Sequence, residues 1–239
     1  MTPLLSCRDL VHRYARDRAP ALDGVTLALG DGIVGLVGAN GAGKSTLLRC
    51  IAGLERHSSG QLLVRGLPAQ AYRLQHGIGS IPERPYFPSY LTAAEFLTGM
   101  RQRAGSPVAT EPEHELADSL GLAEIASYRL DALSLGQSRR VELLAALIGD
   151  PDLVLLDEPT NGLDPIALAA LRRGILASHR PGRLILVSSH HLDELQRIVQ
   201  RVVLMSGGKV SAELDAAALG DGGDAIERHF LALETSRAR

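Results

Sequence analysis

Hydrophobic and polar positions divide the chain into regions of different character. Two β-rich runs, Leu4–Tyr14 and Ala21–Leu29, precede a short apolar strand, Ile33–Val37, that runs directly into a glycine-rich loop. Leu47, Leu48, Ile51 and Leu54 then recur at helical spacing, so this region reads as strand, loop, helix. A further strand pair is expected around Leu62–Val64, beyond the turn-forming Ser58, Ser59 and Gly60. From about Leu91 to Ile148 the pattern is helix-like, broken by Gly105, Pro107 and Pro112, and shows no strand alternation. Strand and helix alternate again at Leu153–Leu156, Ile166–Ala177 and Leu184–Val187, the signature of a parallel sheet covered by helices. Val202–Met205, Gly207-Gly208 and Lys209-Val210 predict a β-hairpin. The fold class is therefore α/β, with an antiparallel β subdomain beside a parallel core and an inserted α-helical subdomain. The predicted division is 1–82 with 150–239 for the core and β subdomain, and 83–149 for the helical subdomain, within one composite domain.

Composition narrows the function. With 239 residues, 45% of them hydrophobic, the chain can bury a sizeable core. A formal net charge of -2 and the lack of a long Lys/Arg block argue against a nucleic-acid groove. The longest apolar stretches, Leu143–Ile148 and Ile166–Leu171, fall far short of the roughly 20 residues needed to cross a bilayer. The N-terminal segment lacks the pattern of a secretory signal. Cys7 and Cys50 have no metal-ligand spacing and are expected to be reduced cytosolic thiols.

The chemistry is concentrated in short motifs. Gly38-Ala39-Asn40-Gly41-Ala42-Gly43-Lys44-Ser45-Thr46 follows a strand and opens a helix, the context a P-loop requires. Its backbone N–H groups face phosphates, Lys44 reaches the β- and γ-phosphates, and the Ser45 hydroxyl ligates Mg²⁺. The strand Leu153–Leu156 ends in Asp157 and Glu158. Asp157 is placed to hold Mg²⁺ and Glu158 to act as general base on the attacking water. These motifs alone leave a kinase, a GTPase, a DNA-repair ATPase and a transporter ATPase open.

Leu133-Ser134-Leu135-Gly136-Gln137 separates them. It resembles the LSGGQ signature of the ABC ATPase family, with Leu135 in place of the middle glycine, and precedes a helix expected over Arg139–Ile148. The resemblance extends over residues 4 to 210 and implies a P-loop NTPase core, ATP and Mg²⁺ as ligands, and two ATPase subunits closing head to tail over two nucleotides. In that arrangement Ser134, Gly136 and Gln137 meet the γ-phosphate held by the other subunit. It further implies a D-loop at Asn161-Gly162-Leu163-Asp164, a γ-phosphate-sensing histidine at His190 with His191 beside it, and Tyr14 stacked on adenine, although a lone aromatic equally suits a core. At Ile78–Glu83 the family normally presents a glutamine to Mg²⁺ and water; Glu83 stands there instead, and reads either as a magnesium-linked sensor or as a solvated acid. The aromatic loop Arg84–Leu91, with Tyr86, Phe87 and Tyr90, lies where the family meets its membrane subunit, or packs within the helical subdomain.

The function so implied is an ATP-hydrolysing subunit of a transporter, at the cytoplasmic face of the membrane, with permease subunits on separate chains. Motif spacing, the Ile-Pro-Glu loop and the segment Ile226–Leu231 resemble bacterial exporter ATPases of the drug-resistance kind. The alternatives are an importer or lipid-exporter subunit within the family, a soluble non-transport ABC ATPase, and a catalytically weak member of a heterodimer.

Overall fold

A computed structural model describes residues 3–15, 17–84, 87–190 and 195–215. Tyr86, His191 and the segment Ile226–Leu231 lie outside the described residues. Two sheets carry the architecture. The first is antiparallel, ordered β2-β1-β4-β5, from β1 (Leu5–His12), β2 (Leu22–Leu29), β4 (Ser59–Val64) and β5 (Leu67–Pro68). The second is ordered β10-β9-β3-β8-β7-β6, from β3 (Gly32–Val37), β6 (Gly79–Ile81), β7 (Leu153–Asp157), β8 (Leu184–Ser189), β9 (Arg201–Ser206) and β10 (Lys209–Asp215). Its strands pair in parallel, except that β10 runs antiparallel to β9 at the edge.

Burial explains why the two sheets read differently in sequence. Every residue of β3, β7 and β8 is buried, as expected for central strands covered on both faces. In β2 and β10 inward and outward residues alternate, because one face meets water or the neighbouring sheet. One apolar cluster, including Leu5, Leu10, Leu47 and Ile51, joins the antiparallel sheet to the helix after the glycine-rich loop. A second, including Leu120, Leu143, Leu171 and Ile185, joins the helices to the opposite face of the parallel sheet.

The helices are α1 (Lys44–Ile51), α2 (Ala69–His76), α3 (Ala93–Arg103), α4 (Glu111–Ser119), α5 (Leu135–Leu147) and α6 (Pro165–Ala177). Helix α3 begins with a capping box, in which Thr92 accepts from Glu95 N and the Glu95 carboxylate accepts from Thr92 N. Such a cap contributes about 1 kcal/mol. Among the described residues between β6 and β7 the elements are helical apart from a single bridge between Thr92 and Arg129.

Several expectations need correction. Leu54 is not part of the first helix: α1 ends at Ile51, and Leu54 is 61% exposed in the turns that follow. The helix expected from Arg139 starts four residues earlier, at Leu135, because Ser134 and Gln137 form its capping box. Pro112 does not break a helix but occupies the first turn of α4, where the missing N–H costs nothing. Helix α2 and strand β6 went unanticipated; α2 is short and buries only Ala69 and Tyr72, while β6 spans only Gly79–Ile81.

Candidate functional site

Parallel strands β3, β7 and β8 end side by side, and the loops that follow them converge. After β3 the chain turns through Gly38–Gly43. A side chain at Gly38 would collide with the Met205 carbonyl of β9. At Gly43, φ is 102° and a Cβ would lie 2.6 Å from the Ala21 carbonyl oxygen. Strand packing on one side and the left-handed turn on the other therefore exclude larger residues, and α1 starts at once with Lys44. Lys44 is buried and donates to the carbonyls of Gly38 and Ala39 at 2.7 and 3.4 Å. The N-terminal amides of α1 and the Lys44 ammonium make this an anion cradle.

Next to it stands a polar relay. The Ser45 hydroxyl donates to Asp157 Oδ1 at 3.1 Å, and the Ser188 hydroxyl donates to the same oxygen at 2.6 Å. The Asp157 carboxyl is pushed above its ordinary range, chiefly by burial, against the hydrogen bonds from Ser188 and Ser45 and with the repulsion of Glu158 and Glu83. A divalent cation would relieve that desolvated charge. Mg²⁺ takes one or two protein oxygens and completes its shell with water and phosphate, and Ser45 with Asp157 fits that donor set.

Glu158 occupies the adjoining position. Its φ is 48°, in the left-handed region that a non-glycine residue enters at a cost of about 1–2 kcal/mol. Hydrogen bonds from its N–H to the Ser188 hydroxyl (2.9 Å) and carbonyl (3.2 Å) hold it there. The strained backbone turns the side chain between two partners: Oε1 lies 3.6 Å from Lys44 Nζ and Oε2 lies 2.9 Å from His190 Nδ1. Both Lys44 and Glu158 are buried, whereas His190 is 38% exposed. Of the catalytic and metal residues read from sequence, Ser45, Asp157, Glu158 and His190 are thus linked, together with the phosphate-binding Lys44, through direct contacts and Ser188, and Glu83 is not in direct contact with them.

Glu83 sits at the rim. A cleft of about 400 Å³ is lined by Ser45, Asp157, Ser80, Glu83, Arg84 and Arg49, among others. Tyr14 lies against the first turn of α1; its hydroxyl is 3.1 Å from the Thr46 hydroxyl, its ring packs edge-on against His12, and it is 55% exposed. An exposed ring is available for stacking, as core packing would not be. In the aromatic loop, Phe87 turns inward onto Phe96, while Tyr90 is exposed.

Ser134, Gly136 and Gln137 open α5, where Ser134 is exposed and Gly136 and Gln137 are half-buried. Ser134 Oγ accepts from Gln137 N, and Gln137 Oε1 accepts from Ser134 N, so both side chains serve the cap. The amides of Leu135 and Gly136 are the first-turn donors for which a helix has no internal acceptor. Leu135, which departs from the glycine of the signature, is half exposed and lies over Gly162 in the next loop. The Asp164 carboxylate accepts from the amides of Ile166 and Ala167 and so caps α6. Reasoning from sequence gave no role to Ser188, whose hydroxyl joins Asp157 to Glu158; only the pairing of β7 with β8 places it there.

The sequence profile of the ABC transporter family matches residues 22–161, more than half of the chain. The chain belongs to the ABC transporter family. Within it, this ABC nucleotide-binding domain is 35% identical over 238 residues to the nickel import ATP-binding protein NikO of Rhodobacter capsulatus, covering 91% of each. It is 33% identical over 220 residues to the Nod factor export ATP-binding protein I of Ralstonia nicotianae, covering 89% of this chain and 67% of the relative. A solved ATP-binding subunit of an ABC transporter superimposes with a TM-score of 0.76 at 31% identity, covering 95% of this chain and 93% of that one. Against ABC transporter ATP-binding proteins of Nostoc, Synechocystis and Bacillus subtilis, the chain spans only 62%, 57% and 60% of the relative's length.

Proposed function

We propose that this ABC domain hydrolyses Mg-ATP and works as one of a pair of ATPase subunits that drive permease subunits on separate chains. The observation that carries the reading is the Glu158 carboxylate, held by a strained backbone between Lys44 and His190 and one residue from the Ser45–Asp157 pair.

ATP is the substrate in this reading. Its phosphates lie on the amides of Gly41–Ser45, its γ-phosphate faces Lys44, and its adenine stacks on Tyr14. Ser45 and Asp157 would hold Mg²⁺, which would supply charge neutralisation for the phosphates. Glu158 orients the attacking water and takes its proton, and His190 fixes the carboxylate and meets the γ-phosphate. Glu83 completes the rim as the magnesium-linked group. Ser134, Gly136 and Gln137 offer the start of α5 to the nucleotide of the second subunit, and Asp164 sets the loop that passes between subunits.

The helical insertion, residues 83–149, and the loop at Arg84–Leu91 form the surface toward the permease, with the exposed Tyr90 in support. Among the described residues no helix is long and apolar enough to cross a membrane; attachment at its cytoplasmic face goes through those partners. Export is the proposed direction, on the Ile81-Pro82-Glu83 loop; the relatives of comparable identity include a named importer and a named exporter. Co-purification from gently solubilised membranes tests the partner: a polytopic protein in near-equal amount identifies the permease and its cargo, and recovery without one turns the reading toward a stand-alone ATPase. Substitution Glu158→Gln tests the chemistry. ATP binding persists, turnover stops and a dimer accumulates; undiminished hydrolysis refutes the role given to Glu158.

A further inference from the structure

Helix α5 carries a charged pair where a helix facing a core would have apolar side chains. Arg139 and Glu142, one helical turn apart, have side chains that are 4% and 3% exposed, with Nη1 of Arg139 2.6 Å from Glu142 Oε2. The other Glu142 oxygen accepts from the Ser138 hydroxyl at 3.0 Å. A pair confined to one helix adds no tertiary link, and burying it is costly unless further hydrogen bonds complete it. Two further bonds go to a different segment, with Nε left without a partner among the described residues: Arg139 Nη2 donates to the Glu83 carbonyl at 2.9 Å, and Nη1 to the Pro82 carbonyl at 3.3 Å.

We infer that Arg139, its charge held by Glu142, is a positioning residue that clamps the Pro82–Glu83 backbone to the helix opened by Ser134. The planar guanidinium presents parallel N–H donors, so it can hold adjacent carbonyls in a fixed orientation, and charged donors make the stronger kind of hydrogen bond. The clamped peptide belongs to Glu83, whose residue lines the cleft with Ser45 and Asp157. Just before it, β6 lies against α5 so closely that a side chain at Gly79 would strike the Ala146 carbonyl. The loop at the metal end of the cleft and the start of α5 are thereby joined as one body. The catalytic consequence rests on the reading of the cleft as an ATPase site; the clamp itself does not.

The test replaces both charges, Arg139→Met with Glu142→Leu, because buried pairs exchanged for apolar residues of similar volume retain stability whereas removal of one partner does not. A nitroxide on Arg84→Cys reports motion of the loop, and Cys7 and Cys50 are buried from the label. The expected result is a melting temperature close to that of the parent, a more mobile nitroxide spectrum, a roughly tenfold lower kcat, as befits a misplacement of this order, and an ATP KM within about twofold. Arg139→Lys, which keeps the charge but serves one carbonyl, falls between, and decides the matter if the double variant does not melt cooperatively.

A parent-like spectrum or a parent-like kcat in these variants overturns the inference. Glu83→Gln, assayed beside them across Mg²⁺ concentrations, separates the two ideas: unchanged magnesium dependence removes the metal-linked role of Glu83, while Arg139 is still judged by the spectrum and kcat.

Discussion

Substitution Ser188→Ala removes a hydroxyl that is fully buried at the end of β8 and serves both acidic residues of the site. It donates to the ionisable Asp157 carboxyl at 2.6 Å, a bond to a charged group worth about 1.5–3 kcal/mol. It also accepts from Glu158 N at 2.9 Å, worth about 0.5–1.5 kcal/mol, although that amide retains the Ser188 carbonyl at 3.2 Å. The expected destabilisation is therefore about 2–4 kcal/mol. At roughly 2–4 °C per kcal/mol for a domain of this size, the melting temperature falls by about 4–16 °C.

The variant also loosens the backbone that holds Glu158 at positive φ, so kcat falls in the fraction that remains folded. Urea unfolding, thermal melting and steady-state ATPase assays measure these effects. A double-mutant cycle with Asp157→Ala, which removes the acceptor, isolates the shared bond, and a coupling energy of at least about 1 kcal/mol is expected for groups in direct contact. A loss below about 0.5 kcal/mol, the range of an ordinary surface substitution, together with an unchanged kcat refutes the reasoning.

Asp157→Asn alone has an opposite effect on the nucleotide-free fold. Because the Asp157 carboxyl titrates above its ordinary value of 3.8, the folded state binds the proton more tightly than the unfolded state. That contribution to stability is complete below the unfolded value and is lost as pH rises through the folded one, leaving a buried carboxylate that weakens the fold at neutral pH. Asparagine removes this dependence, so melting at pH 7–8 rises while Mg²⁺-dependent hydrolysis disappears; a lower melting temperature at pH 8 contradicts the sign. Burial pushes Cys7 up to about 12 and Cys50 up to about 11, so both thiols stay protonated at pH 8. Iodoacetamide is expected to modify them only after denaturation, and mass spectrometry showing rapid modification of the native protein refutes their placement in the core.

The local chain order sets much of this domain by itself. Three rows of apolar residues, Ile33–Val37, Leu153–Leu156 and Leu184–Val187, are legible as buried strands because parallel strands covered on both faces need no alternation. The glycine-rich loop, Lys44, Ser45, Asp157 and Glu158 are legible because phosphate binding is chemistry of contiguous backbone at a strand end. Even the start of α5 is written in Ser134 and Gln137, at capping-box spacing, although apolar periodicity alone points to a start four residues later.

Other features depend on contacts between distant segments. Ser188 reads as one of two serines until β7 and β8 pair side by side, 31 residues apart, and bring its hydroxyl onto Asp157. Arg139 reads as one basic residue in a polar helix start until α5 packs beside β6 and buries it against carbonyls 56 and 57 residues away. Glu158 gives no sign in sequence of its left-handed backbone, which is held by bonds to Ser188. Which local motifs exist and which strands are buried is written along the chain, since hydrogen-bonding periodicity and phosphate cradles are short-range. The tertiary structure alone decided which buried polar groups share a hydrogen bond, because the cost of desolvating them is met only by a partner that packing supplies.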